Sequence, residues 1–310
     1  MKSKVKFKVF SMNNILVIGT VALDTVETPF GKEDNVLGGS ATYASFAASF
    51  FSQPALISVI GDDFPKKYLD LMAKRNINIE GLQIFDKTFH WEGFYEYDMN
   101  EAKTRKTELN SLAQFKVKVP ESYKSIKYVF LANIDPEQQL ETLRQIKKPD
   151  LVVLDTMNFW INHKRESLLN VVKKIDVLLL NDSEARQLFD TINLVSAANK
   201  ALTLGPKAIV IKKGEHGALL FTKNKHFNAP GYPLEKIKDP TGCGDCFGGA
   251  FIGYLAKTKN LDEQNLRKAV IYGSVIASFN AEDFSLNRLI NLSTEEIEKR
   301  YKEFKDMREF

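Results

Sequence analysis

The segment Asp239-Pro-Thr-Gly-Cys-Gly-Asp245 joins two carboxylates to a glycine turn. Phe247, Phe251 and the pair Tyr254–Leu255 follow at helical spacing, which predicts a helix beginning near Asp245. Gly242 and Gly244 let the backbone turn tightly and present bare N–H groups. Such groups at a helix N-terminus bind anions, phosphate in particular. A carboxylate at the mouth of a phosphate site repels the ligand, so its use there is to accept a proton. Asp245 reads as the general base for a hydroxyl that attacks phosphorus; the plainer alternative is an acid in the first turn of a helix.

Three further segments carry related chemistry. Asn181-Asp-Ser-Glu184 follows the apolar run Val177–Leu180. Asn181 and Glu184 suit a hydrated Mg2+, which keeps its waters and takes few carboxylates; the alternative is a helix start capped by Asn181 or Asp182. Lys212-Lys-Gly-Glu-His-Gly217 follows the run Ala208–Ile211, and Gly214 and Gly217 either let the backbone approach a nucleotide or close a hairpin turn. Gly38-Gly39-Ser40 opens another helix beside Asp24, whose carboxylate suits substrate hydroxyls or a turn. Cys243 and Cys246 also make a C-x-x-C at a helix start, the spacing of dithiol redox proteins. That reading leaves Asp239, Thr241 and the Asn181–Glu184 pair without a use. Zinc needs about four ligands, whereas His90, His163, His216 and His226 are scattered and there is no second Cys pair. A thiol at position 243 would meet N–H donors that favour its thiolate, opposed by Asp245 and by any burial. The expectation is a Cys243 moderately reactive at best, with reversible oxidative inhibition as one reading and a small residue tolerated where Ala would do as the other.

These segments need a scaffold that brings strand ends together. Ile15–Gly19, Ala55–Ile60, Tyr128–Leu131, Leu151–Leu154, Val177–Leu180 and Ala208–Ile211 are apolar runs of strand length. Helical patterns lie between them at Ser40–Phe51, Phe64–Arg75, Glu137–Ile146, about Asn162–Lys174, Ser183–Phe189 and Leu194–Thr203. Alternating strands and helices predict a mainly parallel sheet with helices on both faces. Polar residues at the carboxyl ends of such strands face the ligand crevice. Phe89–Leu109 alternates with period two and carries aromatics, a hairpin with one covered face, and Thr25–Val36 is a loop or hairpin. A late hairpin at Gly217–Phe221 and Lys225–Asn228 precedes three helices, Cys246–Ala256, Leu266–Phe279 and Thr294–Phe304. In the inserted hairpin, Trp91 and Tyr95 are candidates for stacking on a substrate or for lid packing or dimer contact, and Arg105 for reaching the substrate or for a solvated charge.

The 310 residues carry 43 Lys and Arg against 39 Asp and Glu, with 44% hydrophobic and 26% charged positions. Apolar content excludes disorder as the main state, and a net charge of +4 is too small to imply nucleic acid. No run approaches the roughly 20 apolar residues of a membrane helix. Two Cys cannot staple a chain this long, so the cytoplasm is the expected compartment. Residues 1–12 read as a basic tail without the apolar stretch of a signal peptide, with Met12 as an alternative start.

The motifs Gly38-Gly39, Asn181-x-x-Glu184, Gly214-x-x-Gly217 and Asp239-x-Thr-Gly-x-Gly-Asp245 together resemble the ribokinase-like, PfkB-type carbohydrate kinases over essentially the whole chain. The resemblance implies a three-layer α/β domain over 13–310 with a small β-sheet lid from about 25–36 and 84–112. It implies phosphoryl transfer from ATP, with Mg2+, to a hydroxyl of a sugar-like acceptor. Asp245 would be the base and the backbone of Gly242, Cys243 and Gly244 the anion hole. Asn181 and Glu184 would organise Mg2+ through water; Lys212, Gly214, Gly217 and Thr241 would meet the nucleotide; Asp24, Gly38, Gly39 and Tyr43 would contact the substrate. A monovalent cation near Asp239 and a homodimer through the lid complete the expectation. Tyr43 stands where many sugar kinases of the family have Asn, and Asp155–Trp160 departs from the fructokinase-like pattern, so pentose, hexose, nucleoside and cyclitol all stay open. The competing classes are the dithiol redox protein and an inactive nucleotide-binding module; for the second, a base facing the phosphate has no purpose.

Overall fold

Alternate residues of a strand point to opposite faces, and in this chain both faces of the main sheet are apolar. A computed structural model describes residues 14–309; the basic tail 1–12 and the Met12 start lie outside the described residues. In chain order the strands are β1 (Ile15–Ile18), β2 (Ala22–Thr28), β3 (Gly31–Gly38), β4 (Pro54–Gly61), β5 (Asn78–Phe85), β6 (His90–Phe94), β7 (Lys103–Glu108), β8 (Tyr128–Leu131), β9 (Leu151–Leu154), β10 (Val177–Asn181), β11 (Ala208–Lys212), β12 (Ala218–Thr222) and β13 (His226–Ala229). Nine of them form the main sheet in the order β13-β12-β11-β10-β9-β8-β1-β4-β5. It is parallel from β11 to β5 and antiparallel at the β11-β12-β13 edge.

Ile15, Val17, Phe130, Val153, Leu179 and Val210 pack on one face, under the helices Ser40–Ala48, Cys243–Thr258 and Glu263–Asn280. Leu16, Ile18, Leu131, Leu154, Leu180 and Ile211 pack on the other, under Pro136–Gln145, Arg165–Val172, Asp182–Leu188 and Leu194–Leu202. This is the three-layer α/β arrangement expected from the alternating pattern.

The other four strands make a small separate sheet, β3-β2-β6-β7. Residues 25–36 are a hairpin, with strands that run from Ala22 to Gly38 and turn at 29–30. The second contribution spans 90–108, narrower than 84–112, because β5 pairs with β4 as the edge of the main sheet. β5 escapes a periodicity reading because its exposed and half-buried positions do not alternate cleanly. The pattern about Asn162–Lys174 resolves into two helices, Asn158–His163 and Arg165–Val172, broken at Lys164 with φ −139°.

Candidate active site

The parallel strands deliver their last residues to one edge of the main sheet. Lys212 ends β11, Asn181 ends β10 beside it in register, and Asp155 follows β9. On the far side of β1, Thr20 and Ser40 fasten the Gly38-Gly39 turn: each backbone N–H donates to the other's hydroxyl, both at 3.0 Å. Gly39 has φ +94°, and a Cβ there would stand 2.5 Å from the Thr20 carbonyl oxygen. Gly38 has a different reason to be glycine, since a Cβ would overlap the Asp24 carboxylate. The turn thus holds the carboxylate of Asp24, in β2, against the helix start.

The helix carrying Asp245 begins at Cys243, two residues before the position that the apolar spacing marks. Gly242 precedes it with φ +76°, and no side chain caps this helix. Cys243 N–H donates to the Pro240 carbonyl at 3.1 Å, while the N–H groups of Gly242 and Gly244 have no acceptor among the described residues. The open donors are therefore those of the two glycines. Asp245 is half-buried, the third residue of the helix. Burial raises its pKa to about 7, the Asp155 charge adds to this, and Lys212 works against it. A carboxyl poised near neutrality is suited to take a proton at working pH.

Tyr43 is 2% exposed and lies against the glycine turn: a Cβ on Gly242 would meet its ring at 2.4 Å. Its hydroxyl is buried without a partner among the described residues, in the field of Asp239 and Asp24. Asp24 itself is 4% exposed, and burial first, then the Asp239 charge, lifts its pKa to about 8. The small sheet closes over this end. Thr241 Oγ1 donates to the Tyr95 hydroxyl at 3.2 Å, and Asn100 packs so closely on Gly214 that a Cβ there would lie 2.4 Å from its Oδ1. Trp91 stays within the small sheet, its indole N–H donating to Thr104 at 3.1 Å. Arg105 pairs with Glu27 and lies over the Phe94 ring at 4.4 Å.

Asn181 and Glu184 form a capping box: the Asn181 side chain accepts from Glu184 N–H, and Glu184 Oε2 accepts from Asn181 N–H, both at 2.7 Å. The helix-start alternative is thus realised, and it leaves the rest of the buried Glu184 carboxylate facing Lys212 and Asp155. Gly214–His216 is a single 3-10 turn, and Gly217 has φ +85° with the Ala229 carbonyl where a Cβ would be. Asp239, fully buried, accepts from Thr241 N–H at 2.8 Å and Ser285 N–H at 3.3 Å. Asn280, at the end of its helix, donates to the Thr241 carbonyl at 2.8 Å. Asp155, Asn280 and Ser285 hydrogen-bond to these residues without being named as candidates from the sequence, where Asp155 enters only as the start of a segment that departs from the fructokinase-like pattern. Asp155 had a signal, its place directly after a buried parallel strand; the other two are brought in only by chain return.

The surroundings of Cys243 oppose the thiolate that its helix position favours. Burial dominates and pushes it up to about 12, and its Sγ donates to the Ala277 carbonyl at 3.4 Å. Cys246 is wholly buried and also pushed up. Since the thiolate is the reactive form, the folded protein should show no adduct by intact mass after excess iodoacetamide at neutral pH. A stoichiometric adduct on Cys243 would restore the redox-sensitive reading.

Two free N–H donors at an uncapped helix start, with room that only glycine leaves, fit the phosphates of a nucleotide. Among the described residues no three His, Cys, Asp or Glu side chains gather as a metal cage; an Mg2+ that arrives on phosphates needs none. Among the described residues, too, no helix is long and apolar enough to cross a membrane. The profile of the pfkB family carbohydrate kinases matches residues 12–290. The chain is 30% identical over 258 residues to the cytidine kinase of Thermococcus kodakarensis, spanning 81% of this chain and 92% of that one. Its fold is similar to that of the nucleoside kinase of Methanocaldococcus jannaschii, with a TM-score of 0.73, 20% identity and coverage of 94% and 98%. It is also similar to an E. coli protein assigned as a ribokinase II and solved with ATP and Mg2+, with a TM-score of 0.77, 17% identity and coverage of 94% and 99%. The uncapped, glycine-lined helix start and these matches agree: the chain is an ATP-dependent phosphotransferase acting on a hydroxyl group, and it belongs to the pfkB family of carbohydrate kinases.

Proposed function

We propose that the acceptor is a nucleoside, cytidine first, phosphorylated on a ribose hydroxyl at the Asp245 end of the crevice. The observation that carries this is the 30% identity to a cytidine kinase across 92% of its length. Asp24 and the Gly38-Gly39 turn bind ribose hydroxyls, with Tyr43 closing the floor. Asp245 takes the proton of the attacking hydroxyl, and the Gly242 and Gly244 N–H groups receive the phosphoryl oxygens. Lys212, Gly214, Gly217 and Thr241 flank the nucleotide. Mg2+, bound with the nucleotide, neutralises phosphate charge; Glu184 and Asn181 would hold its waters. A monovalent cation beside Asp239 is supported by a buried carboxylate that has no cationic side chain within 4 Å among the described residues. The small sheet acts as the lid, and its open β3 and β7 edges, with Phe30 exposed at the β2–β3 turn, support a homodimer through it. Free Cys243 and Cys246 suit the reducing cytoplasm.

A coupled ADP-release assay with ATP and Mg2+ tests the acceptor against cytidine, uridine, inosine, ribose, fructose and myo-inositol. Cytidine should exceed ribose in kcat/KM by at least about tenfold, the discrimination expected when buried polar groups are matched by the base-bearing substrate. A free sugar that outruns every nucleoside would replace this reading with a sugar kinase.

A further inference from the structure

We propose that Lys212 donates directly to the phosphoryl group in transfer, and that Asp155 is the positioning residue that holds it there. This rests on the kinase reading of the same site. The Lys212 side chain is 16% exposed and its Nζ lies 2.6 Å from Asp155 Oδ2. Asp155 is 4% exposed by its side chain, and its other oxygen accepts from Thr156 N–H at 3.0 Å, so both carboxylate oxygens are held. The ammonium is not: it has three donors, and Asp155 takes the one hydrogen bond that it makes among the described residues.

The ammonium also stands at the phosphate cradle. A Cβ on Gly244 would come within 3.1 Å of Nζ, so glycine at this position keeps the space between the helix start and Lys212 open. Glu184 and Asp245 are the other carboxylates in its field; with Asp155 they outweigh burial and keep the lysine charged. A buried ion pair by itself is weak grounds for stability, because desolvation offsets the attraction. Two idle donors on a nearly buried cation beside the Gly244 helix start are instead what an incoming anion completes.

In the step itself the acceptor oxygen forms a bond to the γ-phosphorus as the bond to the β–γ bridging oxygen breaks. That electron pair leaves with ADP, and the acceptor proton passes to Asp245. Lys212 exchanges no proton; it stabilises the oxygens of the transferring group and offsets the charges of Asp155, Glu184 and Asp245 that would repel it. Asp155 never touches the substrate.

The test is Lys212→Met, with nucleotide affinity measured by calorimetry beside turnover. ATP·Mg2+ should bind at least about fivefold more weakly while ADP·Mg2+ is unchanged, and kcat should fall about 100- to 1,000-fold, the scale for one lost transition-state donor. Asp155→Asn should weaken the same ATP-over-ADP discrimination by a smaller factor, because the lysine stays but swings freely; a purely structural Asp155 would alter both nucleotides alike. The double variant Lys212→Met/Asp155→Asn, which buries no orphan carboxylate, should match Lys212→Met, and it carries the same readouts if the single variant does not fold. Unchanged ATP-over-ADP discrimination in whichever variant folds overturns the proposal. The kinase reading fails separately, on a wild type that turns over no acceptor, and the affinity comparison still decides the role of Lys212 in that case.

Discussion

Asp245→Asn should fold as the wild type does and bind ATP·Mg2+ with similar affinity, yet lose at least about a hundredfold in kcat, the usual effect of removing a general base. The carboxylate is half-buried with its pKa raised to about 7, so the substitution removes a charge that burial disfavours. Thermal stability should therefore hold or rise slightly. The wild-type pH profile adds a second check. The base works deprotonated, so kcat/KM should climb as pH rises through about 7 and level off above it. The residual activity of Asp245→Asn should lack that limb. Near-normal turnover in the folded variant would reduce Asp245 to an acid in the first turn of its helix.

Gly242→Ala should damage both the fold and the reaction. The residue has φ +76°, which costs an L-residue roughly 1–2 kcal/mol. Its new Cβ would also stand 2.4 Å from the Tyr43 ring, which is buried and cannot swing aside. The turn must shift, and with it the Gly242 N–H. The expected outcome is a fall in Tm of several degrees and a loss of about a hundredfold or more in kcat, the scale for one misplaced donor at an oxyanion-type site. Scanning calorimetry and initial rates measure the two separately. A folded variant with full turnover would show that the N–H of Gly242 takes no part in holding phosphate.

The sequence by itself determined the main sheet and the helix start of its strongest motif. Continuous apolar runs such as Val177–Leu180 and Ala208–Ile211 are what a strand buried on both faces requires, and both are strands of the parallel sheet. The glycines at 242 and 244 around a helix start, with Asp245 just inside, are legible because both features are local, and the structure has the helix start there. What sequence left open is where one local signal has two uses. Asn181 and Glu184 make the capping box that their spacing also encodes. Cys243 lies at a helix start, but its thiol is held up by burial that no local pattern reports.

Only the tertiary structure decided which groups meet. The helices Ser40–Ala48 and Cys243–Thr258 pack so closely that a Cβ on Gly249 would lie 2.1 Å from the Ala44 carbonyl oxygen. That small-residue contact brings Gly39 and Asp24 to the helix start of Gly242 and Asp245 across some two hundred residues of chain. The order β11-β10-β9 does the same for Lys212 and Asp155, which are 57 positions apart yet joined at 2.6 Å. A pair of that kind depends on strand order, and strand order is set by which faces bury together, not by the spacing of residues along the chain.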